Sequence, residues 1–295
     1  MIIRSVAIGG MLGVMLLSGC GIRGDQQGAA SVDIGKAADV TTASASDSQG
    51  TTIKITKDQV RVGNLVLVNR KYPIDAESIP DDVLTLFDHP ELREGFALYD
   101  KSIRLTDDLL SRFKEMVKDA AGEGVDRWLI SSGYRDNVEQ AALYEEKGPD
   151  YANPAGHSEH NLGLSLDIGS TRGGGMAKAP EGAWLQKNAW KYGFILRYPK
   201  DKADITGTQY EPWHFRYVGL PHSKIMHDRG LVLEEYLDEL REKRTISAKV
   251  NGVRYEITYV PVRGSTRFQL PKGASYELSG DNREGVIVTV RVTAR

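Results

Sequence analysis

The chain has 295 residues, 40% of them hydrophobic and 26% charged, a balance that supports a folded core and excludes a disordered protein. A formal net charge of -2 at pH 7 supplies no basic field for tracking a phosphate backbone, which excludes nucleic acid as a partner. With a single cysteine, no internal disulfide can form.

Arg4, an apolar run over residues 5 to 17, and then Ser18 and Gly19 have the layout of a targeting signal. The run is shorter than the roughly 20 residues of a membrane-spanning helix. Cys20 follows Leu17-Ser18-Gly19 directly. This resembles the lipobox of bacterial lipoproteins, which implies cleavage before Cys20 and a lipid on its thiol. The expectation is an extracytoplasmic protein anchored to the cell membrane. Residues 21–52 carry almost no large apolar side chain, too few to offset the entropy of ordering them, and read as a tether. A chain of that length has a root-mean-square span of roughly 30 Å.

Val60 to Val68 reads as an extended segment, followed by an irregular connection. Thr106 is the expected N-cap of a helix with Asp107 and Asp108 in its first turn. Leu109, Leu110, Phe113, Met116, Val117 and Ala120 recur at its buried period. Trp128 to Ser132 is a short apolar strand, and Gly133-Tyr134-Arg135 turns the chain into a second helix from about Asn137, so Arg135 sits at a strand-to-helix junction. After a loop over 148–156, Leu164, Leu166 and Ile168 alternate with Ser165 and Asp167, which places Asp167 on the polar face of a strand. Residues 171–176 contain Gly173-Gly174-Gly175 but lack the ending of a phosphate loop, and read as a rim loop.

A helix is expected over 180–192 with Trp184, Leu185, Ala189 and Trp190 inward, then strands at 194–196 and 213–218. A last helix runs through Leu231, Leu233, Tyr236, Leu237 and Leu240. From Ile246 the texture changes: Val250 and Val253 flank Asn251-Gly252, a hairpin signal, and a final strand spans 286–292. The fold class expected is α+β, a small antiparallel sheet flanked by helices, plus a small C-terminal β module. Its expected divisions are 1–20 signal, 21–52 tether, 53–244 catalytic domain and 245–295 module. A module of that size has a marginal core and should dock on a larger body.

The chemistry concentrates in Gly156-His157-Ser158-Glu159-His160 with Asp167, and in Glu211-Pro212-Trp213-His214, in a chain with six histidines. Histidines, a carboxylate and a spare Glu have the composition of a hydrolytic zinc site, in which three protein ligands leave a position for water. Either His157 or His160 could be the bystander at this point. His222 and His227 follow at loop spacing with no carboxylate pattern, and His89 is isolated. The segment starts like a Gly-x-Ser-x-Gly nucleophile elbow, but His160 occupies the last position, which demotes a serine hydrolase. His160 and Asp167 lie an odd number of positions apart, so they converge only if the chain bends at Gly163. Glu211 and His214 need a break at Pro212.

Four ordered blocks settle the choice. Ser131-Ser132-Gly133-Tyr134-Arg135 with Gln140, residues 154–163 with Asp167, Tyr198-Pro199 with Thr206-Gly207, and residues 211–219 resemble the motifs of VanY-type D-alanyl-D-alanine carboxypeptidases. These belong to the zinc peptidase group that includes the VanX dipeptidases. The resemblance implies one zinc ion on His160, Asp167 and His214, with Glu211 as catalytic base. It implies that Arg135 engages substrate and developing charge, and that Ser158 and Gln140 contact substrate. Asn161 departs from the Gln that many relatives carry. The implied enzyme is a monomeric D,D-carboxypeptidase acting on peptidoglycan stem peptides. An L,D-carboxypeptidase or an endopeptidase on the same stems is the alternative within hydrolases. A non-catalytic, zinc-containing wall-binding protein is the alternative outside them.

Overall fold

The computed structural model describes residues 50–149 and 151–292; Cys20, the signal segment and the tether up to residue 49 lie outside the described residues. Among the described residues, no helix is long and apolar enough to cross a membrane.

Strand β1 (Thr51–Thr56) is followed by three-residue strands β2 (Val83–Thr85), β3 (Phe96–Leu98) and β4 (Arg104–Thr106). Helix α1 (Asp107–Gly122) buries the apolar stripe expected of it. Its N-cap is Thr106, but the hydroxyl does not cap; it donates to the Gly163 carbonyl at 3.1 Å, tying the helix start to the turn that carries His160. Strand β5 (Trp128–Ser132) leads through Asp136 into α2 (Asn137–Lys147), where Asp136 and Glu139 form a reciprocal capping box that fixes the junction carrying Arg135.

Strand β6 (Ser165–Ser170), helix α3 (Pro180–Asn188), strand β7 (Phe194–Leu196), the single turn α4 (Ala203–Thr206) and strand β8 (His214–Tyr217) complete the part that precedes the C-terminal helices. Trp184, Leu185 and Ala189 are buried as expected. Trp190 is only half-buried and stacks on His227, ring centroids 5.6 Å apart.

The central sheet has the order β3-β5-β6-β8-β7. All its pairings are antiparallel except β3 with β5, so the sheet is mixed where an antiparallel one was expected. Helix α1 covers it through Phe113, Met116 and Val117, which pack with Trp128, Ile130, Leu166 and Ile168.

Residues 61–68 form no strand. Leu65, Val66, Leu67 and Val68 are buried as an irregular segment, and its carbonyls are satisfied by side chains. Arg216 donates to Asn64 and Val66, and Asn282 donates to Leu67, each at 2.9 Å. A buried strand requires a ladder or its equivalent, and here the equivalent is an arginine and an asparagine.

Helices α5 (His222–Arg229) and α6 (Leu233–Lys243) follow, so His222 and His227 sit on a helix rather than in a loop. Strands β9 (Thr245–Val250), β10 (Val253–Pro261), β11 (Ser265–Leu270), β12 (Ser275–Gly280) and β13 (Gly285–Val292) build the C-terminal module. Four of them make an antiparallel sheet, β12-β13-β10-β9, while β11 pairs with β1 from the other end of the described chain. The module docks: Leu237 and Leu240 of α6 share one apolar cluster with Ile246, Ile257 and Ile287.

Candidate metal centre and active site

The register of two strands starts the site. Asp167 on β6 is the direct partner of His214 on β8, and residues opposite each other on antiparallel strands point to the same face. His160 arrives from a 3-10 turn, Glu159–Leu162, that Gly163 ends with φ 66°. That left-handed residue is the bend that brings His160 to Asp167. A side chain there would also collide, since an added Cβ would lie 2.6 Å from Thr106 Cγ2 and 2.9 Å from Pro80 Cγ. Glu211 comes in just before β8, where His214 N donates to the Glu211 carbonyl at 3.2 Å, the turn that Pro212 requires.

Asp167 Oδ1 lies 3.4 Å from His160 Nε2 and 3.1 Å from His214 Nδ1. Tetrahedral zinc with bonds of about 2.0–2.1 Å implies ligand separations of about 3.3 Å, which both distances from Asp167 match, and the donor types are those zinc takes. Both imidazoles are prepared for it. His160 Nδ1 donates to the Gly133 carbonyl at 2.6 Å, which leaves its Nε2 lone pair toward Asp167. His214 is turned the other way, with Nε2 3.4 Å from the buried carboxylate of Glu159 and Nδ1 toward Asp167.

The charges point to a cation as well. Burial lowers the His214 pKa, but the hydrogen bonds to Asp167 and Glu159 outweigh it and hold the group up to about 9. Burial pushes His160 down to about 4, helped by the Arg135 charge. The more basic imidazole, His214, thus stands between the carboxylates of Asp167 and Glu159, a setting that favours positive charge. Among the described residues, these three side chains are the group of donor atoms close enough together to hold a metal, all within 4.8 Å.

Glu211 stands beside them, Oε2 3.9 Å from His214 Nδ1, and burial raises its pKa above the ordinary carboxylate value. Arg135 Nε donates to Gln140 Oε1 at 2.9 Å, and its Nη1 contacts Ser132 Oγ. Gln140 is itself buried and passes its amide to the Asn153 carbonyl at 2.6 Å, so its carboxamide is spent on aiming the arginine. Ser158 lines the same cleft but also caps the 3-10 turn, accepting from His160 N at 3.4 Å. Asn161 Nδ2 donates to the Arg135 carbonyl at 2.6 Å. His157 faces away, its Nδ1 2.9 Å from the Asn69 carbonyl. The cleft, about 290 Å³, is also lined by Arg70, Tyr151, Tyr198 and Trp213.

Glu159, to which the sequence motifs assign no role, stands directly behind the triad. Its side chain is fully buried, and Oε1 accepts from Arg197 Nε and Arg216 Nη1, each at 2.8 Å. Burial pushes this carboxyl up, but the two guanidinium groups outweigh it and hold it ionised below the usual carboxylate range. Arg197 in turn forks onto Glu234 of α6 at 2.9 and 2.7 Å. The one available signal was a charged residue inside a ligand turn, next to His160.

A family model described as D-alanyl-D-alanine carboxypeptidase, VanY, matches residues 102–220. A D-alanyl-D-alanine carboxypeptidase of Enterococcus faecium is 55% identical over 236 residues, covering 80% of this chain and 78% of that one. Among solved structures, the vancomycin resistance D,D-dipeptidase VanXYg, in complex with a D-Ala-D-Ala phosphinate analog, superposes with a TM-score of 0.71 at 30% identity, over 82% of this chain and 99% of the other. The LdcB LD-carboxypeptidase aligns with a TM-score of 0.52 at 32% identity, over 58% and 84% of the two chains.

Proposed function

The chain belongs to the VanY family of D-alanyl-D-alanine carboxypeptidases, and from that premise we propose that it removes the terminal D-Ala of peptidoglycan stem peptides with one zinc ion on His160, Asp167 and His214. The observation that carries the zinc assignment is the donor triad gathered within 4.8 Å, with each imidazole fixed in the tautomer a metal needs. Zinc held there supplies Lewis acidity and lowers the pKa of water towards neutrality. Glu211, its pKa raised by burial, accepts the proton of the attacking water and returns it to the leaving amine. Arg135 presents a planar fork to the oxyanion or to the terminal carboxylate of the substrate. Gln140 and Ser132 hold that fork in place. Ser158 contacts substrate from the cleft wall.

The enzyme acts as a monomer outside the cytoplasm, held to the membrane by a lipid on Cys20. An L,D-carboxypeptidase is the second reading, supported by the likeness to LdcB, and the greater identity to the D-alanyl-D-alanine carboxypeptidase favours the first. Mass spectrometry of tetra- and pentapeptide stems incubated with the purified protein, with and without a chelator, tests both. Chelator-sensitive loss of one D-Ala from the pentapeptide alone is the expected result. Trimming of the tetrapeptide alone would establish the L,D alternative, and full activity of a metal-free preparation would overturn the zinc assignment. Cys20→Ala should move the protein out of the membrane fraction; unchanged lipid labelling would overturn the anchor.

A further inference from the structure

A second cavity, of about 670 Å³, lies between the C-terminal end of α6 and the β module and shares no lining residue with the cleft around Glu211. Lys57, Arg61, Arg241, Arg244, Arg263 and Arg283 line it, against the single carboxylate of Glu284. This concentration of positive charge sits in a chain whose formal net charge is -2. Cations at the end of a helix complement its dipole, which accounts for Arg241 in the last turn of α6. The same dipole serves Arg244, the residue that ends α6, but it does not account for Lys57 and Arg61 after β1, Arg263 after β10 or Arg283 before β13.

Their charges are only partly spent. Arg241 pairs with Glu284 at 2.6 Å, and Arg283 pairs with Asp238. Arg61 meets only the neutral oxygens of Asn282. Lys57, Arg244 and Arg263 have no carboxylate partner among the described residues, and the buried Nε of Arg283 donates to nothing there. Arg244 is also held at φ 65°, a backbone conformation that costs a non-glycine residue roughly 1–3 kcal/mol. Tyr259 N fixes it by donating to the Arg244 carbonyl at 2.7 Å, and the guanidinium lies 5.4 Å from the Tyr259 ring centroid.

We propose that this groove binds a phosphate polyanion, a chain of phosphodiester groups, and so docks the enzyme on an anionic polymer apart from the substrate cleft. Planar guanidinium forks match phosphate oxygens bidentately, and a lone carboxylate would leave most of the cations unmatched. A membrane surface fits less well, because adsorption to lipid uses apolar side chains beside the cations, and none of the large exposed apolar residues of the described chain lines the groove. Single-stranded nucleic acid needs free aromatic faces for its bases, and the one ring here, Tyr259, is engaged by Arg244.

The test is fluorescence anisotropy of labelled poly(glycerol phosphate) with the full chain, across a series of salt concentrations. It compares the wild type, a Lys57→Gln/Arg263→Gln double variant, and Lys178→Gln as a control outside the groove. The proposal expects about tenfold or greater weakening in the double variant and a log K against log salt slope shallower by about one to two. Lys178→Gln should bind as the wild type does. D-Ala release from a soluble pentapeptide and the melting temperature should stay unchanged, which separates this site from the zinc reading. Equal affinity of wild type and double variant would overturn it. So would binding to phosphatidylglycerol vesicles with none to the polymer, which would make the groove a membrane contact.

Discussion

At the scale of single residues, Glu211 and Glu159 are the two carboxylates beside the His160, Asp167 and His214 triad, and their surroundings set them apart. Glu211 faces the cleft half-buried, where a raised pKa suits a base; Glu159 is sealed away and kept ionised by Arg197 and Arg216. Glu211→Gln should therefore keep stoichiometric zinc and lose D-Ala release by about a hundredfold or more, checked by metal analysis beside a turnover assay. Near wild-type turnover in a zinc-loaded variant would remove Glu211 from the mechanism. Glu159→Gln should behave differently. It strips the partner from His214 Nε2 and leaves two buried guanidinium groups facing a neutral amide, so zinc affinity should fall by about tenfold to a hundredfold. Stability should fall by roughly 3 kcal/mol as well. A zinc titration with urea unfolding reads both, and an unchanged zinc affinity would leave Glu159 as packing only. The triad of His160, Asp167 and His214 was legible because these residue types are rare and their motif is ordered along the chain. Glu159 was not, since a Glu in a turn reads as solvated until residues 38 and 57 positions away fold against it.

At the scale of elements, the bend required by the odd spacing of His160 and Asp167 is realised by one glycine. Gly163→Ala asks a side chain to occupy left-handed backbone and to displace Thr106 and Pro80. A loss of about 1–3 kcal/mol in urea unfolding is the expected outcome, together with weaker zinc binding, because the turn and β6 hold the two ligands from either side of the bend. Full zinc affinity in the substituted protein would show that the ligands converge without it. The period of α1 and the alternation of β6 were readable because each buries one face against the core. Residues 61–68 misled for a physical reason. Their apolar run satisfies the pattern of a buried strand, but their carbonyls are taken by Arg216 and Asn282, partners 150 to 215 positions distant. Local pattern carries no trace of them.

At the scale of the whole molecule, the module and the catalytic part are joined by polar as well as apolar contacts, and His222 is the clearest of these. From α5 its Nδ1 meets Tyr236 Oη of α6 at 2.7 Å, and its Nε2 meets Thr289 Oγ1 of β13 at 3.1 Å. Complete burial drives its pKa down to about 3, so the folded protein keeps it neutral. An unfolded chain protonates it near pH 6.5. The unfolded state therefore holds the extra proton between those two values, and stability falls as pH drops from about 6.5 towards 3, with a slope of up to about 1.4 kcal/mol per pH unit from this group. His222→Gln removes that titration while losing a hydrogen bond worth about 1 kcal/mol. The variant should be the less stable protein at pH 7, with the gap closing or reversing as the pH approaches 4. Chemical denaturation of both proteins across that range gives the comparison directly. Parallel curves would mean that the acid sensitivity of the interface lies in other groups, whereas converging curves would place it at the one histidine that touches both sides.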